Sequence, residues 1–167
     1  WRAWLQRLDR RARRPPAFAA YLSATANDVT GDGALYAIAP DAVLFDTAGS
    51  FAGGLFRAPA DGLYQINGTI VLAGVAAAHN RIAPALQVLA GSGAGTEARS
   101  YGGGAGDGPP DVDARVALRL AHLVRMLAGN TARLTVQVEG STKVVDVVGG
   151  APDTVFSTLS GFLVATG

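Results

Sequence analysis

The side chains able to do chemistry in this chain are few. There is no cysteine, and there are two histidines, His79 in AAAHNRIAP and His122 in RLAHLVRM. Neither has a His or Cys at ligand spacing, so a tetrahedral metal site lacks its donors. Without thiols, disulfides and thiolate chemistry are excluded outright. His79 falls in an expected loop, where it would be exposed, and His122 reads as a packed or edge histidine within a strand. The acids cluster twice, as Asp28 and Asp32 in NDVTGDG and as Asp107, Asp111 and Asp113 in GDGPPDVD. Hard oxygen donors at such spacing suit calcium, which makes Asp111 and Asp113 the calcium candidates. Asp in turns bonds to nearby backbone anyway, so no metal and no cofactor is expected.

Other catalytic patterns fail on inspection. GSGAG and GGGAGDG lack the Lys-Ser/Thr of a phosphate loop and do not open a helix, so they read as flexible loop. No serine sits in a strand-turn-helix nucleophile elbow. Asn67-Gly68-Thr69 matches a glycosylation acceptor but lies within an expected strand, where chance is the better account. The chain is expected not to be an enzyme.

The elements around these residues read mostly as short strands. The chain has 167 residues, 49% hydrophobic and 16% charged. That is enough for one domain with a real core, and too apolar for a disordered chain. Charge this sparse suggests that part of the surface is covered by other chains. The net charge of +1 is split: residues 1–14 carry six Arg against one Asp, leaving eight bases against twelve acids in residues 15–167. A mildly acidic body argues against a nucleic-acid interface. No apolar run reaches the ~18 residues needed to span a bilayer. The chain begins at Trp1 with no methionine or signal-peptide pattern, so further sequence upstream, or processing, is expected.

WRAWLQRLDRRARRPP places Trp1, Trp4, Leu5 and Leu8 at helical spacing before Pro15 and Pro16. It is expected to be a basic helical stem or linker over 1–16, either fraying or the last turns of a multi-chain stalk. A basic docking peptide for a partner or nucleic acid is a third reading of the same segment. From residue 17 the period becomes two. Strands are expected at AFAAYLS (17–23), DAVLFD (41–46), GGLFRA (53–58) and, after the PADG turn, from Leu63 to Leu72. There Tyr64, Ile66, Ile70 and Leu72 face one way, and Gln65, Asn67 and Thr69 the other. ALQVLA, ARLTVQVEG, TKVVDVV and FSTLSGFLVAT follow the same rule. ANDVTGDG and the Gly-rich run 91–110 read as loops.

ARVALRLAHLVRMLAGN is contested. Val116, Leu120, Leu123 and Leu127 suit a helix, whereas Val116, Leu118, Leu120, Val124 and Met126 suit a strand interrupted by His122. Its neighbours decide for strand. The last segment is the most informative: Phe156, Phe162 and Val164 lie on one face, with Leu159, Leu163 and Ala165 on the other. A strand apolar on both sides cannot keep one wet face. One side fills a sandwich, and the other must meet something dry, which favours a closed, symmetric oligomer.

AFAAYLS, VLFD, GLFRAPADGLYQI, RMLAGNTARLTV and FSTLSGFLV, in that order, resemble segments of the complement C1q domain, a branch of the tumour necrosis factor-like jelly rolls. The resemblance covers about residues 17–165. Asn130 stands where that family usually has Asp, and Ile66 where it has an aromatic. The resemblance implies an all-β, ten-stranded jelly-roll sandwich over 17–167 forming a homotrimer, usually a non-catalytic head on a stalk. Phe18, Tyr21, Tyr64, Ile66, Phe156, Leu159, Phe162 and Leu163 would then lie in the core or the trimer interface.

The chain is crowded with Ala, Gly, Arg and Val and has no cysteine or collagen-like repeat, a composition that looks like a GC-rich bacterial genome. In such a setting the C1q-like resemblance implies the tip of a fibre or spike of a phage or phage-like particle. Such a head sits at the virion surface, touches host glycan or capsule, and joins other fibre, capsid or tail proteins through its stem. If the head binds a sugar, the expected contacts are loop residues: His79, Asn80, Arg81, Arg99, Tyr101 and Asp107. The alternatives are a trimerisation cap without a ligand, or a secreted ligand.

Overall fold

The computed structural model describes residues 15–91, 98–102 and 115–167. The 1–14 stem, Asp107 and the calcium candidates Asp111 and Asp113 lie outside the described residues. Among those described there is no helix. The first strands are β1 (Ala17–Tyr21), β2 (Ala26–Thr30), β3 (Leu35–Ile38), β4 (Ala42–Asp46), β5 (Phe51–Ala52) and β6 (Leu55–Arg57). The long ones follow: β7 (Gly62–Ala73), β8 (Arg81–Leu89), β9 (Ala98–Gly102), β10 (Val116–Met126) and β11 (Thr131–Glu139). β12 (Val145–Val147) and β13 (Thr158–Thr166) close the chain.

The strands form two antiparallel sheets packed face to face, the jelly-roll sandwich expected from the sequence. The first sheet is built around β7. β10 lies along one edge of it from Val116 opposite Leu72 to Met126 opposite Gly62, and β13 and β12 share the other edge. Beyond β13 come β1 and then β4, and β2 pairs with β12. In the second sheet β11 is central, flanked by β8 on one side and by β6 and β3 on the other, with β9 outside β8 and β5 outside β6. Within the described residues β9 pairs with β8 as far as Ala85, opposite Gly102, next to Pro84.

The alternation read in the sequence sets the core. Tyr64, Ile66, Ile70 and Leu72 of β7 are buried, as are Ala132, Leu134, Val136 and Val138 of β11. Phe18 stacks on Phe56 at 4.4 Å between ring centroids and on Phe51 at 5.2 Å. Tyr64 tilts against Phe56, and its hydroxyl donates to the Ala60 carbonyl at 2.8 Å. Burial raises the Tyr64 phenol above its ordinary pKa. Gly68 interrupts a run of large residues for a steric reason: a Cβ there would lie 2.5 Å from Leu134 Cδ2 of the facing sheet. The middle of the sandwich is that tight.

Four expectations change. Thirteen strands are present among the described residues where ten were expected, partly because GGLFRA begins within a small hairpin, β5–β6, turned by Gly53 and Gly54 at φ 59° and 76°. ANDVTGDG, read as a loop, contributes β2, because its partner lies far away in sequence: Val145 pairs with Thr30, and Asp28 N–H donates to Asp146 Oδ1 at 2.7 Å. ARSYG, read within the Gly-rich loop, is β9, formed on β8. LYAI, unassigned in the sequence, is β3 on β11. The contested segment is a strand, as its neighbours suggested. Helix propensity is overridden by continuous pairing with β7. His122 does not break it, but takes an inward position between Leu120 and Val124.

Candidate functional site

The loop candidates separate along the length of β8. Arg81 opposes Glu139 at one end, while Arg99 opposes Val88 near the other. Seven residues of strand put these ends roughly 23 Å apart, so no single loop surface gathers them.

At the first end the outcome for His79 reverses the expectation: it is fully buried. The 76–79 turn closes with His79 N–H donating to the Ala76 carbonyl at 2.9 Å, and His79 Nδ1 accepts the Ala76 N–H at 2.9 Å. The ring is thus folded back under its own turn. Gly31, at φ +129°, makes the space, since a Cβ there would lie 3.1 Å from His79 Nε2 and would also run into the Thr142 carbonyl. His79 is a structural wedge, with no surface to offer a ligand. Asn80 is exposed, and Arg81 is exposed and paired with Glu139 at 2.9 Å. An ion pair this wet contributes little.

Tyr101 of β9 is half-buried, its ring 5.6 Å from that of His122 on β10, across the gap between the two sheets. Among the described residues, Nε2 of both histidines is buried without a hydrogen-bond partner. No three His, Asp or Glu side chains among the described residues gather as a cation would require.

Arg99 is exposed, and it shares an open cavity of about 340 Å³ with Arg125. A second cavity, about 430 Å³, lies beside β4 against Asp41, Val43 and Phe51. Its one acid is already engaged: Asp41 accepts from Ser23 Oγ at 2.6 Å and Ser23 N–H at 2.8 Å, bonds that hold its pKa below the ordinary value.

The third surface is the outward face of the β7 sheet. Of the residues expected in core or interface, Phe18, Tyr21, Tyr64, Ile66 and Leu159 are buried, and Leu163 packs against the core. Phe156 is half-buried beneath the Arg115 guanidinium, 4.9 Å from its ring centre. Phe162 is 46% exposed and Val164 52%, so the last strand is greasy on both sides and one side is open. Register aligns the open side into rows. Leu123, Gln65, Phe162 and Ala17 run across four strands, and Ala121, Asn67, Ser160, Ala19 and Phe45 run beside them. Leu63 and Val164 extend the patch toward the end of β13. The two amides in its middle bond to each other, Gln65 Nε2 donating to Asn67 Oδ1 at 3.0 Å. That bond lowers the penalty of covering them. It also places Asn67 on the outward face of β7. Leu63 and Leu123 were not among the residues expected at an interface; the register of β7 with β10 and β13 is what reveals them.

No protein-family model matches this sequence, and no curated protein matches it. Solved structures do match the fold. The globular domain of zebrafish complement 1qA is similar at 14% identity and a TM-score of 0.60, covering 91% of this chain and 99% of that one. Eiger TNF from S. frugiperda aligns at 16% identity and 0.60, covering 92% and 96%. Murine APRIL aligns at 8% identity and 0.62, covering 90% and 100%. The chain therefore has a C1q/TNF-like jelly-roll fold.

Proposed function

We propose that this protein is a non-enzymatic head that assembles as a homotrimer through the outward face of its β7 sheet and presents its strand ends for binding. The carrying observation is that face. Phe162, Val164, Leu63 and Leu123 stand open in register around a self-satisfied Gln65–Asn67 pair. A patch of this kind is too apolar to leave wet, and an identical patch on each copy closes on itself by rotation. The C1q-like resemblance of the sequence favours three copies over two.

In this reading the 1–16 segment is the stem that joins the head to other fibre, capsid or tail proteins. The head itself sits at the surface of a virion or virus-like particle and engages host glycan or capsule. The fold shared with zebrafish C1qA, APRIL and Eiger equally supports a second reading, a secreted ligand of that kind. Native mass by light scattering tests the assembly. The expected value is about three times the 17.0 kDa of one chain. A folded Phe162→Glu/Leu123→Glu double variant should run as a monomer. A wild-type protein that stays folded and monomeric at micromolar concentration would refute the reading.

A further inference from the structure

The sandwich carries a cleft at the margin of the assembly face, where Arg125 lies opposite Leu63. It is the 340 Å³ cavity lined by Val88, Ala90, Arg99, Arg125, Leu127 and Asn130. Arg99 comes from β9 in one sheet and Arg125 from β10 in the other, so two guanidinium groups serve one opening. No acid is among the described residues that line it. Asp61 lies to the side: the Cβ position of Gly167 is 3.9 Å from Arg125 Nη2 and 4.0 Å from Asp61. Its carboxylate, however, accepts the Ala128 N–H at 2.7 Å, and the one ion pair among the described residues is Arg81–Glu139.

The turn that borders the cleft is fixed. The turn from Leu127 to Asn130 is closed by Asn130 N–H donating to the Leu127 carbonyl at 3.0 Å. It is tied to the chain before β7 by Gly129 N–H on the Ala58 carbonyl and by Ala58 N–H on the Asn130 carbonyl, each at 2.8 Å. These bonds occupy the Asn130 backbone. Its side-chain amide makes no hydrogen bond among the described residues and borders the cleft. Val88 is buried at the base, and Ala90 and Leu127 add apolar surface.

We propose that this cleft binds an oxyanion: a carboxylate, sulfate or phosphate group, free or carried by a larger ligand such as an acidic saccharide. Guanidinium groups offer forked donors that match such oxygens two at a time. Two like charges around one opening repel each other until an anion sits between them, and apolar walls strengthen that attraction by displacing water. The volume suits one charged group with its immediate substituents. Arg125 borders the assembly face, so binding and assembly are measured separately. Only the use of the cleft in attachment rests on the function proposed above.

The test is titration calorimetry on the 167-residue chain at fixed ionic strength in chloride. The probes are inorganic sulfate, inorganic phosphate, a disaccharide bearing one uronic acid, and the same disaccharide in neutral form. Acidic probes should bind and the neutral one should not. Arg99→Gln and Arg125→Gln should each weaken binding about tenfold, whereas Arg119→Gln, on the same strand outside the cleft, should leave it unchanged. Inorganic anions binding as tightly as the uronate would identify a free-anion site, and tighter uronate binding a carried group; both uphold the cleft. Equal binding of the neutral sugar, or indifference to both substitutions, would overturn it. Light scattering on the same samples separates the remaining case. If the arginine variants lose trimer mass and not affinity, the cleft is a subunit contact and the proposal fails. A monomer that still binds acidic probes would sink the trimer alone.

Discussion

At the scale of single residues, two side chains show opposite uses of a titratable group. Asp46 ends β4 by accepting three hydrogen bonds: from Phe51 N–H at 2.7 Å, Ser50 Oγ at 3.1 Å and Ala48 N–H at 3.2 Å. Partial burial pushes its pKa up, but these bonds outweigh burial and leave it below the ordinary 3.8. A carboxylate depressed in the folded state stabilises above its ordinary pKa and loses that contribution as pH falls through the folded value. Asp46→Ala should therefore lower stability by about 1–3 kcal/mol at neutral pH. The deficit should shrink as the wild type is acidified below pH 3.8, as read by urea melts across pH. His79 is the opposite case, a titratable side chain enclosed as a packing element. Its loop position gave the sequence reading no warning, because the space it fills is provided by Gly31, 48 residues earlier.

At the scale of elements, legibility followed alternation. β7, β11 and β13 declare themselves because one face is buried and the residues say so: Tyr64, Ile66 and Ile70, then Leu134 and Val136, then Leu159. β2 and β9 are polar or glycine-flanked, and they exist because distant partners supply the ladder; ANDVT and ARSYG contain no period to find. The Arg99–Arg125 cleft was half legible. Arg99 was singled out as a loop contact, but its partner sits 26 residues later on another sheet, a proximity only topology creates.

The tightness between the sheets gives the element-scale prediction. Gly68 lies opposite Leu120 and Leu159 in its own sheet and faces Leu134 of the other. Gly68→Ala should cost about 1–3 kcal/mol by overpacking. Combined with Leu134→Val it should cost less than the sum of the two single changes. A double-mutant cycle by urea denaturation measures this, and strict additivity would contradict the packing described.

At the scale of the whole molecule, folding and assembly should be coupled. If the β7 face is buried only among copies, the folded state gains stability by mass action and its melting temperature depends on concentration. Wild-type protein should melt several degrees higher on a hundredfold rise in concentration. The Phe162→Glu/Leu123→Glu chain should show no such dependence. Scanning calorimetry at two dilutions decides it.

β4 closes its sheet beyond β1, with no partner on its far side among the described residues, and Val43, Leu44 and Phe45 are each about half exposed along it. An unpaired rim with grease on both surfaces is an adhesive strip that any extended polypeptide can extend. For a cell making this protein, the hazardous interval runs from the ribosome until that rim is covered. Rapid assembly, or a companion chain shielding that rim, would then be as much a condition of solubility as of shape.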